Sequence, residues 1–425
     1  MSSSPPFHVT EHVIDGQYIR EYPRATATPD APLKLSVKQY TPVSNPNPQP
    51  GDVTIVAVHG TGFPKELYEP LWEELLHRSQ QAGFRIRAIW MADAANQGAS
   101  GILNEQNLGN DPSWYDHSRD LICMINQFRQ QMPRPIIGLG HSLGAPYMTD
   151  DKFAGDGIPL ILMATKRRDL WSSREEAIAK FRKMLRPWDP RVFQRWTEFG
   201  LRDLPTAIHR TTAAADTTNK EEKQAVPVTL TTSKHQEAMM YIRLNTQRHV
   251  QLGLVENQAH TTEPEDESPP PPHDPLLVPD MLGRLIPGQR CYRPEPILGF
   301  TLVPHLRPSV LYLSGAQSPL CRSDDHAKAA RKTGAGFGGS GGIAYDRVRH
   351  VVIPGAGHNL PMEKVAATAD ELGEWIGREV GRWRGDEDRI AKGWEALGVR
   401  EKSTFSPEWM EMIRGMAEVK RPSKI

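Results

Sequence analysis

Hydrophobic and polar positions follow two distinct rhythms along the first 165 residues. Val53–Val58 (VTIVAV) is an unbroken, mostly β-branched run, which predicts a strand buried on both faces. The glycine turn His59-Gly60-Thr61-Gly62 follows it. Over residues 64–77, Leu67, Leu71, Trp72 and Leu75 fall on one helical face. Residues 85–91 (RIRAIWM) predict a second strand. Residues 116–131 predict an amphipathic helix, with Leu121, Ile122, Met124, Ile125 and Phe128 forming its stripe. Residues 135–139 (PIIGL) predict a third strand. Strands alternating with helices imply βαβ units and a largely parallel sheet, hence an α/β fold.

The same rhythm returns late, with strands over 309–313 (SVLYL) and 348–353 (VRHVVI) and a closing helix over 366–383. Residues 171–307 break it. Their first part, 172–198, has helical spacing and is rich in Arg, Lys, Trp and Phe. Their second part is polar and proline-rich, and 263–272 (EPEDESPPPP) reads as extended or disordered chain. The expected organisation is a first half of the core over 1–170, an inserted lid over 171–307, a second half of the core over 308–385, and a helical C-terminal extension over 386–425.

Charge narrows the function classes. Lys+Arg and Asp+Glu both number 51, so the basic excess usual in nucleic-acid binders is absent. Cys123, Cys291 and Cys321 are odd in number and widely spaced, which gives neither a disulfide framework nor a metal motif and suits a reducing compartment. No cofactor or metal is expected. The N-terminus lacks the basic start and apolar run of a secretory signal, and no stretch is apolar enough to span a bilayer. The final residues Ser423-Lys424-Ile425 approach the Ser-Lys-Leu peroxisomal address and predict an import receptor as partner and a peroxisomal matrix location, with the cytosol as the alternative.

Three motifs carry chemistry. Gly140-His141-Ser142-Leu143-Gly144 matches G-x-S-x-G and directly follows the strand at 135–139. Such a serine sits at the apex of a sharp strand-to-helix turn, and the next N–H, that of Leu143, points at a developing oxyanion. Ser142 is therefore the candidate nucleophile. Pro354-Gly355-Ala356-Gly357-His358-Asn359 follows the strand at 348–353, late in the chain where a catalytic base belongs, and makes His358 that candidate. The turn after Val53–Val58 offers the backbone of Thr61 as the second oxyanion donor.

The acid has no clear position. The turn Gly315-Ala316-Gln317-Ser318-Pro319 holds Ser318 where an aspartate would be expected, and Asp324 and Asp325 lie farther on, at the start of a helix. Residues 160–163 (LILM) could form the strand after the nucleophile helix, and Asp169 is the nearest carboxylate beyond it. A surface aspartate beside Arg167 and Arg168 is the plainer reading. Residues 334–339 match G-x-G-x-x-G but follow a helical, basic segment, so they read as a glycine loop before the last strand and not as a dinucleotide site.

With these residues in place, the sequence resembles the fungal α/β-hydrolases of secondary-metabolite clusters. It is most similar to the peroxisomal type I acyl-CoA thioesterases of mycophenolic acid biosynthesis, and AK-toxin-type hydrolases are more distant. The likeness runs from about Glu11 to Trp383. It rests on stretches such as Tyr18-Ile19-Arg20-Glu21-Tyr22-Pro23, Pro64-Lys65-Glu66-Leu67-Tyr68-Glu69-Pro70-Leu71-Trp72, Arg87-Ala88-Ile89-Trp90-Met91-Ala92-Asp93 and Tyr292-Arg293-Pro294-Glu295-Pro296.

The resemblance implies an α/β-hydrolase fold with a mostly parallel central sheet and an inserted helical lid. It implies Ser142 as nucleophile, His358 as base, Thr61 and Leu143 at the acyl oxygen, and an acyl-CoA substrate. Lys166, Arg167, Arg168 and Arg174 could then meet CoA phosphates, or simply be a solvated basic run.

One departure stands out. The family's nucleophile helix leads into an aliphatic strand ending in Asp-Pro, whose aspartate is the acid. Residues 145–170 are too short and too polar to match, and Trp171-Ser172-Ser173-Arg174-Glu175-Glu176 then resumes the family pattern. Another carboxylate substitutes, coding sequence is missing, or the copy is decaying. Three functions stay open: a serine hydrolase of acyl-CoA thioesters, a carboxylesterase or lipase, and an impaired hydrolase acting as a binding protein.

Overall fold

The computed structural model describes residues 5–142, 153–210, 225–241, 243–244, 291–322 and 324–418. Leu143, the proline-rich loop at 263–272 and the C-terminal tripeptide lie outside the described residues. The chain divides into two compact units, a large one over Met1–Gly377 and a C-terminal one over Arg378–Ile425.

The large unit is built on strands β1 (Phe7–Asp15), β2 (Lys34–Pro42), β3 (Val53–Val58), β4 (Ile86–Ala92) and β5 (Ile136–Gly140). They form one sheet in the order β1-β2-β4-β3-β5. β3 lies parallel to both β4 and β5, while β1 and β2 add antiparallel pairs at the other edge. β3 is central and its VTIVAV run is almost wholly buried, as an unbroken apolar run requires.

Helices α1 (Glu69–Gln81) and α2 (Trp114–Gln127) cover the sheet. α1 buries Leu71, Trp72 and Leu75, the face read from spacing. α2 contributes Leu121 and Met124 to a cluster with Leu35, Val37, Val56, Trp90 and Ala92. It starts before residue 116 because Ser113 caps it, its side chain accepting the Tyr115 N–H. Strands β1 and β2 were not expected. β1 buries only Phe7 and Ile14 of nine residues, so it lacks the alternation that marks a half-buried strand.

The aliphatic run at 160–163 is a correction. It belongs to helix α3 (Phe153–Lys166), with Ala164 buried and Leu160, Leu162 and Met163 exposed. Four apolar residues cannot by periodicity distinguish a strand from a helix. Among the described residues no strand of this sheet lies beyond β5, which ends it with Ile136 39% exposed.

Within residues 171–307, α4 (Arg174–Met184) and α5 (Pro190–Phe199) occupy the stretch with helical spacing. A small antiparallel sheet, β6 (Leu170–Trp171), β7 (Leu201–Asp203) and β8 (Val228–Leu230), joins them in the order β6-β8-β7. Its strands are too short for sequence patterning to reveal. Helix α6 (Lys234–Tyr241) follows, and β9 (Arg243–Leu244) pairs with β10 (Cys291–Tyr292) ahead of α7 (Pro294–Leu302).

Buried charges fasten this return segment to the sheet domain. Arg293 donates to Glu295 over 2.9 Å, and Glu295 accepts the Ser113 hydroxyl and the Trp114 N–H at the start of α2. Arg243 forks onto Asp111 and lies over the Tyr22 ring.

The second half of the core is β11 (Val310–Gly315), α8 (Asp325–Lys332) and β12 (Val348–Ile353), with β11 and β12 paired in parallel as a separate two-stranded sheet. The glycine-rich residues 334–339 form the loop after α8, as expected. Short helix α9 (Leu360–Glu363) and long helix α10 (Val365–Ala391) follow. The C-terminal unit contains the end of α10, then α11 (Val399–Ser403) and α12 (Pro407–Glu418).

Candidate active site

Parallel pairing brings the first two motifs together. The register sets Val58 beside Gly140, and the His141 N–H donates to the Val58 carbonyl over 3.1 Å. The glycine turn after β3 and the serine turn after β5 thus emerge side by side at the C-terminal edge of the sheet, where open α/β sheets place their sites. Ser142 has φ of 53°, the strained left-handed conformation of a nucleophile elbow.

Ser142 Oγ lies 2.9 Å from His358 Nε2, although 216 residues separate them. His358 follows β12, and its loop is set by backbone bonds from the turn after β11. Ala316 N–H donates to Ile353 and Gln317 N–H to Ala356. The two loops approach so closely that a Cβ on Gly315 would collide with the Gly357 carbonyl oxygen, so only glycine fits there. Burial holds the His358 imidazole below its ordinary pKa, while the Glu363 carboxylate acts in the opposite direction. The ring is therefore neutral at neutral pH, as a general base must be.

Among the described residues no carboxylate contacts the other ring nitrogen of His358. Its Nδ1 lies 3.4 Å from Ser318 Oγ, in the turn where the sequence has a serine in place of an aspartate. Glu363 accepts the Gly357 N–H and so is fixed one residue from the base. The Asp169 carboxylate is instead held by Lys234 (3.1 Å) and His209 (3.3 Å), with no bond to His358 among the described residues. Asp324 and Asp325 begin α8, as their sequence suggested, and pair with Arg331 and Lys328.

The glycine turn after β3 is organised by side chains the sequence did not single out. Gly60 N–H donates to the Tyr68 hydroxyl over 2.8 Å, and Gly62 N–H donates to Gln97 Oε1 over 2.7 Å. Thr61, between them, is buried, and among the described residues its N–H has no partner. Tyr68 also bonds His141 Nδ1 over 2.7 Å, which links the glycine turn to the elbow. Burial lowers the His141 pKa to about 3, and nearby His358 adds to the effect, so His141 is a neutral structural ring.

Phe63 stacks on His141 and meets Trp188 edge-on, giving an aromatic wall beside the elbow. The Glu237 carboxylate, paired with Arg167, abuts Gly62 from α6. The basic run is largely neutralised: Arg167 pairs with Glu237, Arg168 with Glu176 and Arg174 with Asp203, leaving Lys166 exposed. Among the described residues no cluster of three or more His, Cys, Asp or Glu side chains could hold a metal, and no helix is long and apolar enough to cross a membrane.

An elbow serine bonded to a late histidine, at the C-terminal ends of parallel strands, defines a hydrolase site. A family model for the α/β hydrolase family matches residues 55–371, and the chain belongs to that family. Its relatives include the type I acyl-CoA thioesterase mpaH of Penicillium roqueforti, 40% identical over 97% of both chains, and the mpaH protein of Penicillium brevicompactum, 39% identical over 93% of this chain and 94% of that one. The first alignment spans 452 positions, more than the 425 residues of this chain, so the relative carries segments missing here. An abhydrolase domain-containing protein of Alternaria alternata is 24% identical over 67% of the chain. The solved structure of the peroxisomal α/β-hydrolase Lpx1 from Saccharomyces cerevisiae shares the fold, with a TM-score of 0.61, 14% identity and 97% coverage of each chain.

Proposed function

We propose that this α/β-hydrolase cleaves acyl-CoA thioesters to the free acid and CoA, with Ser142 as nucleophile and His358 as general base. The observation that carries the reading is the 2.9 Å contact between Ser142 Oγ and His358 Nε2 at a strained elbow. The thioester class is supported by the activity for which the Penicillium relatives are named.

His358 Nε2 takes the hydroxyl proton as Ser142 Oγ bonds to the thioester carbon. The negative charge on the carbonyl oxygen is met by the backbone N–H groups of Thr61 and Leu143. Collapse breaks the C–S bond, and the imidazolium returns its proton to the departing thiolate. Water, deprotonated by the same nitrogen, then attacks the acyl-serine, and proton return to Ser142 Oγ releases the acid. The aromatic wall of Phe63 and Trp188 suits a substrate with an apolar or aromatic acyl part. The terminal Ser423-Lys424-Ile425 supports delivery to the peroxisomal matrix by an import receptor.

A binding-protein reading is favoured by one observation, the hydroxyl in place of a carboxylate at His358 Nδ1. Free-thiol release from a panel of aryl- and alkyl-CoA thioesters, set against the matching oxygen esters, separates the readings. Preferential thiol release that Ser142→Ala abolishes supports the thioesterase. Turnover of the oxygen esters alone contradicts the thioester assignment, and no turnover of either by folded protein contradicts catalysis.

A further inference from the structure

Among the described residues, no carboxylate contacts Nδ1 of His358. In a Ser-His-Asp triad the carboxylate bonds Nδ1–H, fixes the tautomer and stabilises the imidazolium that forms during reaction. Here the group at that position is the hydroxyl of Ser318, 3.4 Å from His358 Nδ1 and only 1% exposed. Its placement follows from the fold. β11 and β12 run in parallel with Gly315 opposite Ile353, so the turns after them meet, and the Ser318 N–H closes its own turn onto the Gly315 carbonyl.

We infer that Ser318 is the positioning residue of the site and stands in for the absent carboxylate, so that the relay is an uncharged Ser142–His358–Ser318 chain. Ser318 Oγ accepts from Nδ1–H, which leaves the Nε2 lone pair facing the Ser142 hydroxyl. The inference rests on the Ser142–His358 reading above.

The surroundings of the ring agree. Among the described residues, the groups facing it are Ser142 and His141 from the elbow, Ser318 from the turn after β11, His326 from α8, and Glu363 from α9. His141 and His326 are themselves held neutral by burial, at about 3 and about 4. Glu363 is the one carboxylate in this set. It accepts the Gly357 N–H and acts on the imidazolium through space, with no contact to Nδ1. A hydroxyl can accept from Nδ1–H as a carboxylate does, but it can also donate and it supplies no charge, so it orients the ring more weakly and the electrostatic share of the rate enhancement is forgone.

The test reads the nucleophile without assuming a substrate. The second-order rate of Ser142 labelling by a fluorophosphonate is measured against pH for the full chain, with the labelled peptide identified by mass. The wild-type rate should fall on acidification with an apparent pKa below about 6.5. Ser318→Asp should raise the plateau rate at least about tenfold and move that limb upward by roughly one pH unit, because a carboxylate at Nδ1 stabilises the imidazolium. Ser318→Ala should lower the rate about five- to tenfold, the effect of losing one neutral hydrogen bond, and Ser318→Thr should recover most of that loss.

A folded Ser318→Asp protein with an unmoved limb and unchanged rate overturns the inference. So does Ser318→Ala labelling as fast as wild type, which decides the matter if the aspartate variant does not fold. Absence of labelling at Ser142 in both wild type and folded Ser318→Asp overturns the nucleophile assignment itself. Labelling without thiol release leaves this inference standing and removes only the thioester assignment.

Discussion

Acidification should destabilise this protein well before ordinary acid denaturation, because three imidazoles, those of His117, His141 and His326, are buried in neutral form. His117 packs near His59, and among the described residues neither of its ring nitrogens has a partner. Burial, reinforced by His59, lowers its pKa to about 3, burial reinforced by His358 does the same for His141, and burial reinforced by His350 lowers His326 to about 4. The unfolded chain binds these protons below about pH 6.5, the folded chain only near pH 3 to 4, so stability is lost as pH falls through that window. Moving from about pH 7 to about pH 5 costs about 2 kcal/mol for each ring, or about 6 kcal/mol together.

Asp116 works the other way. Burial raises its pKa to about 6 against the pull of Arg20, so the fold gains about 1 kcal/mol over the same interval as the carboxyl takes up its proton. The net expectation is a loss of about 5 kcal/mol, a large part of a typical folding free energy. Urea unfolding at the two pH values measures it. His117→Phe, which removes one titrating ring and two orphaned nitrogens, should cut the difference by about 2 kcal/mol. Equal stability at both pH values, or an unchanged difference in His117→Phe, would refute the reasoning.

Two further substitutions probe the framework. Arg293→Ala leaves Glu295 charged and buried at the base of α2, and should cost about 3–5 kcal/mol in a denaturant titration. Tyr68→Phe removes the hydroxyl that joins the Gly60 N–H to His141, and should slow Ser142 labelling about tenfold while costing about 1–3 kcal/mol of stability.

The legible parts of this fold were those in which one local signal dominates. The VTIVAV run, the stripes of α1 and α2, and the glycine-flanked serine and histidine each state their role within a few residues. Strand β1 was invisible because it is an edge strand with most of its side chains in water. The Tyr68–His141 bond joins residues 73 apart, so spacing carries no trace of it. Ser318 is instructive in another way. Sequence located it correctly in the turn after a strand, but only the parallel pairing of β11 and β12 brings that turn against His358.

Among the described residues the sheet is in two pieces, with β5, which leads into Ser142, at an edge and β11–β12, whose turns hold Ser318 and His358, as a separate pair. A relative that contributes segments absent here fits this picture. What keeps the site together is then loop contact: the Ser142–His358 bond across the two pieces, and the tie between Tyr68, Gly60 and His141. An unpaired strand edge is also a surface for unwanted pairing, and Ile136 is exposed along it.

The most direct measurement is a search for the acyl-enzyme. Folded protein is mixed with an aryl- or alkyl-CoA thioester, quenched in acid at short times, and digested for mass spectrometry. The account predicts the mass of the acyl group on the peptide containing Ser142, appearing in step with free CoA thiol and absent from Ser142→Ala. Thiol release with Ser142 unmodified at every time, or with undiminished rate in Ser142→Ala, would contradict it.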